Sequence, residues 1–365
     1  MYPHETEMLE RLWFPVAREG DVAAGPVAAG LLGRKLVIYR ASGGVAAARD
    51  RCPHRWARLS LGRTVGDELE CPYHGWRFDR DGACRLVPSQ PGAHPAAKLE
   101  TFPARTGFGL VWVSIGEPFL QAPEIPEMAG PADDWEIGQG EPFDVGCGLR
   151  SITENFRDSS HFAFVHKQTF GNVSPLIPGY TVRRDGWRLA WEFVLRYADE
   201  WQVEDGAGTG SKYRFGGTDA DPADAGVAAQ QLIHYRFGAG SLSYVYTEHL
   251  EGGKRIVCQV AAPLTTDGAG CRVFFFVAAN AAFRAQYGDV ADQVALESRV
   301  FAEDVPIVES LDPPESPLEL DGQAHVRADR YAVAYRQLYR DLLDQFAAQQ
   351  AGADRDTHRA SPLTV

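Results

Sequence analysis

Two short runs carry metal-binding chemistry in this chain: Cys52-Pro-His54 and Cys71-Pro-Tyr-His74, with sixteen residues between His54 and Cys71. Each run pairs a thiol with an imidazole on what reads as a tight loop. Two Cys and two His suit a two-iron cluster whose irons sit in different environments. The thiolates bind one iron and neutral imidazoles the other, and imidazole in place of thiolate raises the reduction potential. A structural zinc ion takes the same four side chains. Zinc pairs usually space their ligands more widely than Cys-x-His does, which favours the cluster.

A second constellation is Glu154-Asn155-Phe-Arg-Asp158-Ser-Ser-His161-Phe-Ala-Phe-Val-His166. Two His and one carboxylate on one face of an octahedron bind Fe(II) and leave positions open for oxygen. Residues five apart in a regular α-helix stand about 140° apart around its axis. One metal therefore requires a helix that is distorted or ending here, and a π-type turn would serve. The bland alternative is a pair of partly buried histidines with ordinary hydrogen bonds. Asp158 stands three residues before His161, on the same side of a helix, where a carboxylate can orient a metal-bound ring. Asn155 is either a neighbour of the metal or an ordinary polar helix residue.

The elements that must position these groups fall into two regions. Glu5 to Arg18 reads as a short amphipathic helix through Met8, Leu9, Leu12 and Trp13, left at Trp13-Phe-Pro-Val because Pro15 stops helix. Leu36–Tyr39 and Val45–Ala48 read as strands around the turn Ala41-Ser-Gly-Gly44, and Trp112–Ile115 is the last strand of a small all-β region. The Pro-rich stretch from Glu117 to Ala132 marks a boundary, giving domains 1–117 and 118–350. Strand-like runs follow at 187–196, 231–237, 243–246, 256–260 and 272–277, many alternating as a half-buried antiparallel sheet does. Helical patterns at 291–310 and 326–349 close the chain, and 351–365 reads as a disordered tail. Gly206 to Ala229, rich in Gly, Ala and Asp, reads as a loop that can serve as a lid.

With 365 residues the chain is long enough for two domains and a sizeable core. Its net charge of −13 argues against general nucleic-acid binding. No run is long and apolar enough to span a bilayer, no signal-peptide pattern is evident at Met1, and the four remaining Cys have no disulfide-framework spacing. A reducing cytoplasm is the expected compartment. Arg49, Arg51, Arg55, Arg58 and Arg63 face a single acid, Asp50, within their own stretch, so the first loop is expected to be positive and to dock an acidic electron donor.

Cys52-Pro-His54-Arg55 and Cys71-Pro-Tyr73-His74-Gly75-Trp76-Arg77-Phe78-Asp79 resemble the Rieske domain of Rieske non-haem iron oxygenases. The respiratory Rieske proteins are less similar: they carry an extra Cys in each loop and a Ser after the final His-Gly, where this chain has Ala57, Tyr73 and Trp76. Fewer hydrogen bonds to sulfur lower the potential. The 154–166 run resembles the Asn-x2-Asp-x2-His-x4-His segment of the same family's catalytic domain. The resemblance departs at Trp56 and Arg58, where many relatives have Gly and Pro, and at Leu311, where the family often has Gln.

The resemblance implies an α+β chain. It comprises a small all-β Rieske [2Fe-2S] domain and a catalytic domain of antiparallel sheet with helices, of the START-like helix-grip type. Cys52, His54, Cys71 and His74 would bind the cluster. His161, His166 and a carboxylate from the run Glu303-Asp304-Val-Pro-Ile-Val-Glu309 would bind mononuclear Fe(II). By position that carboxylate is Asp304, with Glu303 and Glu309 as alternatives. Asn155 would sit near the iron. Asp158 would join His161 to His74 of a neighbouring subunit in a head-to-tail homotrimer. The implied activity is that of a terminal oxygenase using O2. Its electrons come from a separate NAD(P)H-dependent reductase, with or without a ferredoxin, since no flavin or NAD fingerprint occurs in the chain. Its size favours hydroxylation or oxidative demethylation of an aromatic or otherwise apolar small molecule, with cis-dihydroxylation second. An electron carrier lacking catalytic iron is the third reading. Phe162, Phe164, Phe237, Tyr244, Tyr246 and Phe275 are candidate pocket residues, with His234 and His249 as candidate polar contacts.

Overall fold

A computed structural model describes residues 2–92, 95–129, 134–171, 173, 175, 177, 179–196, 230–238, 242–248 and 252–359; for 193–196, 230–238 and 352–359 it describes the backbone alone. The expected lid, Gly206–Ala229, and His249 lie outside these residues, as do the side chains of His234 and Phe237. The chain forms two compact units. One comprises Met1–Pro123, Ala262–Cys271 and Gln345–Val365; the other comprises Glu124–Ala261 and Arg272–Asp344. A boundary at 117 read from composition therefore falls slightly early. It also misses two later segments, whose membership depends on tertiary contacts that composition does not record.

The first unit is built of short antiparallel strands. Phe14–Arg18 pairs with Leu110–Val113, which also pairs with Ala104–Gly107. The amphipathic pattern expected through Arg18 thus yields a helix only over Glu5–Glu10. Pro15 cannot continue a helix, and the apolar run takes an extended partner instead. Val27–Leu31, Arg34–Ala41, Gly44–Arg49 and Thr101–Phe102 form a second sheet, and Arg63–Val65, Glu68–Glu70, Arg77–Phe78 and Cys84–Leu86 a third. The Cys71 loop is the connection between Glu68–Glu70 and Arg77–Phe78, which pair directly. The Cys52 loop leaves the strand Gly44–Arg49. Buried Asp50 fixes its root by accepting from Ser60 N–H at 2.7 Å and Ser60 Oγ at 2.6 Å. Cys52 and Cys71 belong to one apolar core with Val37, Tyr39, Leu59 and Phe78.

The second unit is organised by an antiparallel sheet. Among the described residues its strand order is Glu136–Gln139, Cys271–Ala279, Lys254–Pro263, Ser243–Glu248, Gln230–Gly238, Arg188–Arg196 and Arg183–Asp185, with Phe143–Val145 also on Cys271–Ala279. The helix Val290–Val308 covers one face. Val257, Val277 and Ala279 of the sheet pack with Val290, Phe275 meets Phe301 edge-on at 4.8 Å, and buried Arg255 pairs with buried Glu297. The helix Arg330–Arg359 adds Tyr331, stacked on Trp191 at 4.1 Å. This helix corrects the expected tail at 351–365, because it runs on through Ala351 to Arg359. Once a helix is nucleated, each further residue adds a hydrogen bond at little cost, and Ala-Gly-Ala-Asp-Arg holds no Pro to end it.

Close packing of the sheet edge depends on Gly140, whose N–H bonds Phe275 O at 3.3 Å. A Cβ on Gly140 would lie 1.7 Å from Phe275 Cζ. Gly140→Ala should therefore displace the Phe275 ring and destabilise the unit by about 1–3 kcal/mol, read as a lowered melting temperature in a thermal scan. An unchanged melting temperature would mean that the ring relaxes freely.

Candidate active site

The two Cys-His loops are built alike. Cys52 N–H donates to Ala57 O at 2.8 Å and Trp56 N–H to Cys52 O at 2.9 Å; in the second loop Cys71 N–H donates to Trp76 O at 2.8 Å and Gly75 N–H to Cys71 O at 3.1 Å. Trp56 (φ 63°) and Gly75 (φ 68°) occupy the matching left-handed position. Glycine enters that region freely, whereas a residue with a Cβ loses about 1–2 kcal/mol. Trp56, at 70% exposed, meets no packing obstacle, and the Arg51 guanidinium lies 4.1 Å over its ring. Such an exposed cation–π contact offsets about 0.5–1 kcal/mol of the strain.

The four side chains converge as a ligand set should. The His54 and His74 ring centroids are 4.6 Å apart, and His54 stacks on Trp76 at 4.4 Å. Both thiols are buried. Burial, with Cys71 beside it, pushes the Cys52 thiol up to about 11, so a bound metal must displace its proton. Burial, then the charges of His74 and Arg55, lower the pKa of His54 and favour the neutral ring. Its Nδ1 is buried without a protein partner. An orphaned imidazole nitrogen beside two thiols and a second imidazole fits the donor set of a [2Fe-2S] cluster with mixed ligation. The positive charge expected here is largely matched, however. Arg58 lies 3.2 Å from Asp50, Arg63 2.7 Å from Glu70 and Arg49 3.2 Å from Glu100. Glu70 and Glu100 come from outside the Arg49–Arg63 stretch, so a charge count within it misses them.

In the second unit the helix Leu149–Asn155 ends, and two four-residue helices, Phe162–Val165 and Lys167–Phe170, meet at His166 (φ −97°, ψ 25°). A helix break, not a π-type turn, brings the two rings together. His161 Nε2 and His166 Nε2 are 3.1 Å apart, and Asp304 Oδ1 lies 3.4 Å and 3.3 Å from them. Ligands about 2.1 Å from one metal at right angles stand about 3 Å apart. These three residues could therefore hold one metal ion on a single face.

The outer nitrogens decide which atoms face inward. His161 Nδ1 lies 3.0 Å from Asp158 Oδ2, and His166 Nδ1 lies 2.8 Å from Glu303 Oε2. Donation from each Nδ1–H leaves both Nε2 atoms as lone pairs, a tautomer assigned from these partners. Three electron-rich atoms then converge, and they repel unless a cation lies among them. Burial disfavours a charged His166, but hydrogen bonding and charge from Asp304 and Glu303 raise its pKa above the ordinary value. Asp158 is held below its ordinary value although burial opposes this, through His161 and then Ser160.

Asn155 Nδ2 donates to Asp304 Oδ1 at 3.3 Å, and its Oδ1 is buried without a partner. Glu309 instead accepts from Gly146 N–H at 2.9 Å, and Glu303 takes the outer nitrogen of His166, so Asp304 alone of the three acids meets both inner nitrogens. Among the pocket candidates, Phe162 packs edge-on against His161 at 5.0 Å. Phe164 is exposed, Phe275 is core against Phe301, and Tyr244 donates to Glu127 at 2.7 Å. Sequence reading missed Ser160, whose Oγ donates to Asp158 at 2.6 Å, and Arg336, which clamps Glu154 at 2.6 and 2.8 Å. A hydroxyl two residues from Asp158 was a readable signal; an arginine from a distant helix was not.

Comparison with known proteins agrees with a Rieske domain followed by an oxygenase catalytic domain. Residues 12–103 match the Rieske [2Fe-2S] domain family, and 145–345 match the vanillate O-demethylase oxygenase C-terminal domain. The chain is 31% identical over 352 residues to methylxanthine N1-demethylase NdmA of Pseudomonas putida, covering 93% of this chain and 90% of that one. The structure of NdmA with caffeine from Pseudomonas putida CBB5 superposes with a TM-score of 0.73 at 27% identity, over 93% of this chain and 92% of that one. Over 111 residues, 29% of this chain and 19% of the other, it is 44% identical to the oxidoreductase NdmD of Pseudomonas putida. With a Rieske domain followed by an oxygenase catalytic domain, this chain belongs to the Rieske non-haem iron oxygenases, the terminal oxygenases that hydroxylate or demethylate small molecules with electrons delivered through a [2Fe-2S] cluster.

Proposed function

We propose that the enzyme removes a methyl group from nitrogen or oxygen on an aromatic or otherwise apolar small molecule. Residues 1–117 carry the cluster on Cys52, His54, Cys71 and His74, and residues 118–350 carry Fe(II) on His161, His166 and Asp304. The observation that carries this reading is the convergence of the two Nε2 atoms and Asp304 Oδ1 at 3.1–3.4 Å. It also disfavours a carrier without catalytic iron. When bound, the cluster supplies single electrons and the ferrous iron supplies open positions for O2. In balance, a substrate methyl, O2, two electrons and two protons give a hydroxymethyl group and water; the hydroxymethyl carbon then leaves as formaldehyde and its proton returns to nitrogen or oxygen. Relatives named as N- and O-demethylases support this choice.

This chain's own residues orient and shield. Asp158 and Glu303 keep the inner nitrogens unprotonated, Asn155 holds Asp304 on the metal side, and the rings of Phe162 and Phe170 cover His166 at 5.7 and 4.9 Å. The electrons come from a separate NAD(P)H-dependent reductase, with or without a ferredoxin. Six cysteines in no disulfide support a reducing cytoplasm; no helix among the described residues is long and apolar enough to cross a membrane.

The ligand sets are separable. Asp304→Ala should lower iron from about three to about two per chain and abolish turnover, while the visible and EPR spectra of the cluster persist. Cys52→Ala should lose the red-brown colour. Full iron content in Asp304→Ala, or a colourless native protein holding zinc, overturns the assignment.

Donor docking rests on Trp56 and Tyr73, 70% and 64% exposed, with Arg55 between His54 and Trp56 in sequence. Large exposed aromatics beside Arg are the side chains that anchor protein interfaces. Trp56→Ala should slow cluster reduction by the donor protein at least about tenfold and leave reduction by dithionite intact. Unchanged donor rates would move the docking surface elsewhere.

The assembly is a homotrimer in which Asp158 bridges His161 to His74 of the next subunit, a head-to-tail contact of the kind that closes into rings. Asp158 supports this by keeping 36% of its side chain exposed while already holding His161. Asp158→Asn should keep colour, iron and assembly, yet slow cluster oxidation in a single turnover with substrate and O2. Native oxidation rates in that variant, or an active monomer, exclude the bridge.

A further inference from the structure

We propose that Glu303 is a positioning residue for the catalytic iron, fixing the ring of His166 and raising its basicity. The inference rests on the triad reading above. Glu303 and Asp304 are consecutive on the helix Val290–Val308, yet they address opposite edges of one ring. Glu303 Oε2 is 2.8 Å from Nδ1, and Asp304 Oδ1 is 3.3 Å from Nε2. The longer Glu side chain makes this possible, since it reaches past the ring edge that Asp cannot.

The backbone gives His166 little support. It stands at the break between two four-residue helices, outside helical geometry. The rings of Phe162 and Phe170 restrict its plane but offer no polar group to choose a tautomer. Its side chain is 1% exposed, so water does not choose one either. Glu303 supplies the choice. Accepting the Nδ1 proton obliges Nε2 to present its lone pair, and a carboxylate at that place makes a ligating imidazole more basic. His161 has a separate carboxylate, Asp158, so each imidazole of the triad is backed by its own acid.

This arrangement has a distinctive electrostatic consequence. Glu303 and Asp304, with side chains only 23% and 10% exposed, flank a single imidazole. Asp304 attracts a cation at Nε2 directly, and Glu303 does so through the ring whose Nδ1 proton it holds. Glu303 should therefore strengthen iron binding and alter the electronic signature of the bound iron. A residue that only packed against the ring would move neither.

The test measures two quantities on the full chain with its cluster intact. Iron affinity is read by competition with a ferrous chelator, using cluster absorbance as the internal measure of folded protein. Stability of the protein stripped of mononuclear iron is read by thermal melting. Glu303→Gln should weaken iron binding about ten- to a hundredfold, with the stripped form still folded and holding its cluster. It should also change the EPR signal of the nitric oxide adduct of the ferrous protein. Glu303→Ala, which cannot accept the proton at all, should weaken iron further. Native affinity in both variants, or a native nitric oxide signal in Glu303→Gln, overturns the proposal. Asp304→Ala run alongside separates the two readings. Iron retained there sinks the triad itself. Iron lost there with native affinity in Glu303→Gln and Glu303→Ala sinks only the role of Glu303.

Discussion

The catalytic unit is shaped by one electrostatic constraint: two imidazole lone pairs and a carboxylate oxygen must be held within about a ligand's width of one another without a bond between them. Left alone such atoms separate, because their lone pairs repel. Side chains behind them prevent the separation. Asp158 holds His161 from one side, Glu303 holds His166 from another, and Asn155 holds Asp304. The site is thus pre-organised by hydrogen bonds that point away from the metal, which is where a protein can act on a coordination sphere without occupying it.

Those outer contacts are only as firm as the elements that bear them. The helix Leu149–Asn155 is tied at both ends. Arg150 N–H donates to Glu315 at 2.8 Å and Arg150 Nε to Ser316 O at 2.6 Å, while Glu154 receives two bonds from buried Arg336. The helix Val290–Val308 is fixed to the sheet by Val290, by Phe301 and by the buried Arg255–Glu297 pair. Buried ion pairs add little net stability over apolar packing, but a wrong placement leaves a buried charge unpaired, costing about 3–5 kcal/mol. Their effect is to select one register of helix on sheet. A triad whose members come from 149–166 and from 304 needs that register more than it needs additional stability.

The legibility of the chain follows from the range of the forces involved. The cluster motifs and His161/His166 could be read because their spacing is local. The long strands Lys254–Pro263 and Cys271–Ala279 are legible because their nearly continuous apolar runs record burial on both faces. Arg183–Asp185 pairs locally with Arg188–Arg196, but it is polar and exposed and leaves no apolar pattern to read. The strands Glu136–Gln139 and Phe143–Val145 are not legible, because each pairs with Cys271–Ala279 far along the chain. Phe14–Arg18 was misread for the same reason: a local amphipathic pattern yielded to pairing with Leu110–Val113. Glu303 is the instructive case in the site. Its contact with His166 spans 137 positions, so the local pattern alone cannot assign it to the ring of His166 rather than to a metal.

The two metal sites solve the problem of convergence with opposite means. At the cluster, the ligands come from two loops of nearly identical hydrogen bonding, and each loop needs one left-handed residue to turn. Gly75 meets that demand without strain. Trp56 meets it at a conformational cost only partly offset by Arg51, on a side chain that remains mostly in water. Stability alone would favour glycine at that position, as the second loop has it. The donor contact proposed above gives that exposed ring a role beside the cluster. At the second site, by contrast, the backbone breaks regular helix at His166 and leaves the alignment of the two rings to the carboxylates of Asp158 and Glu303.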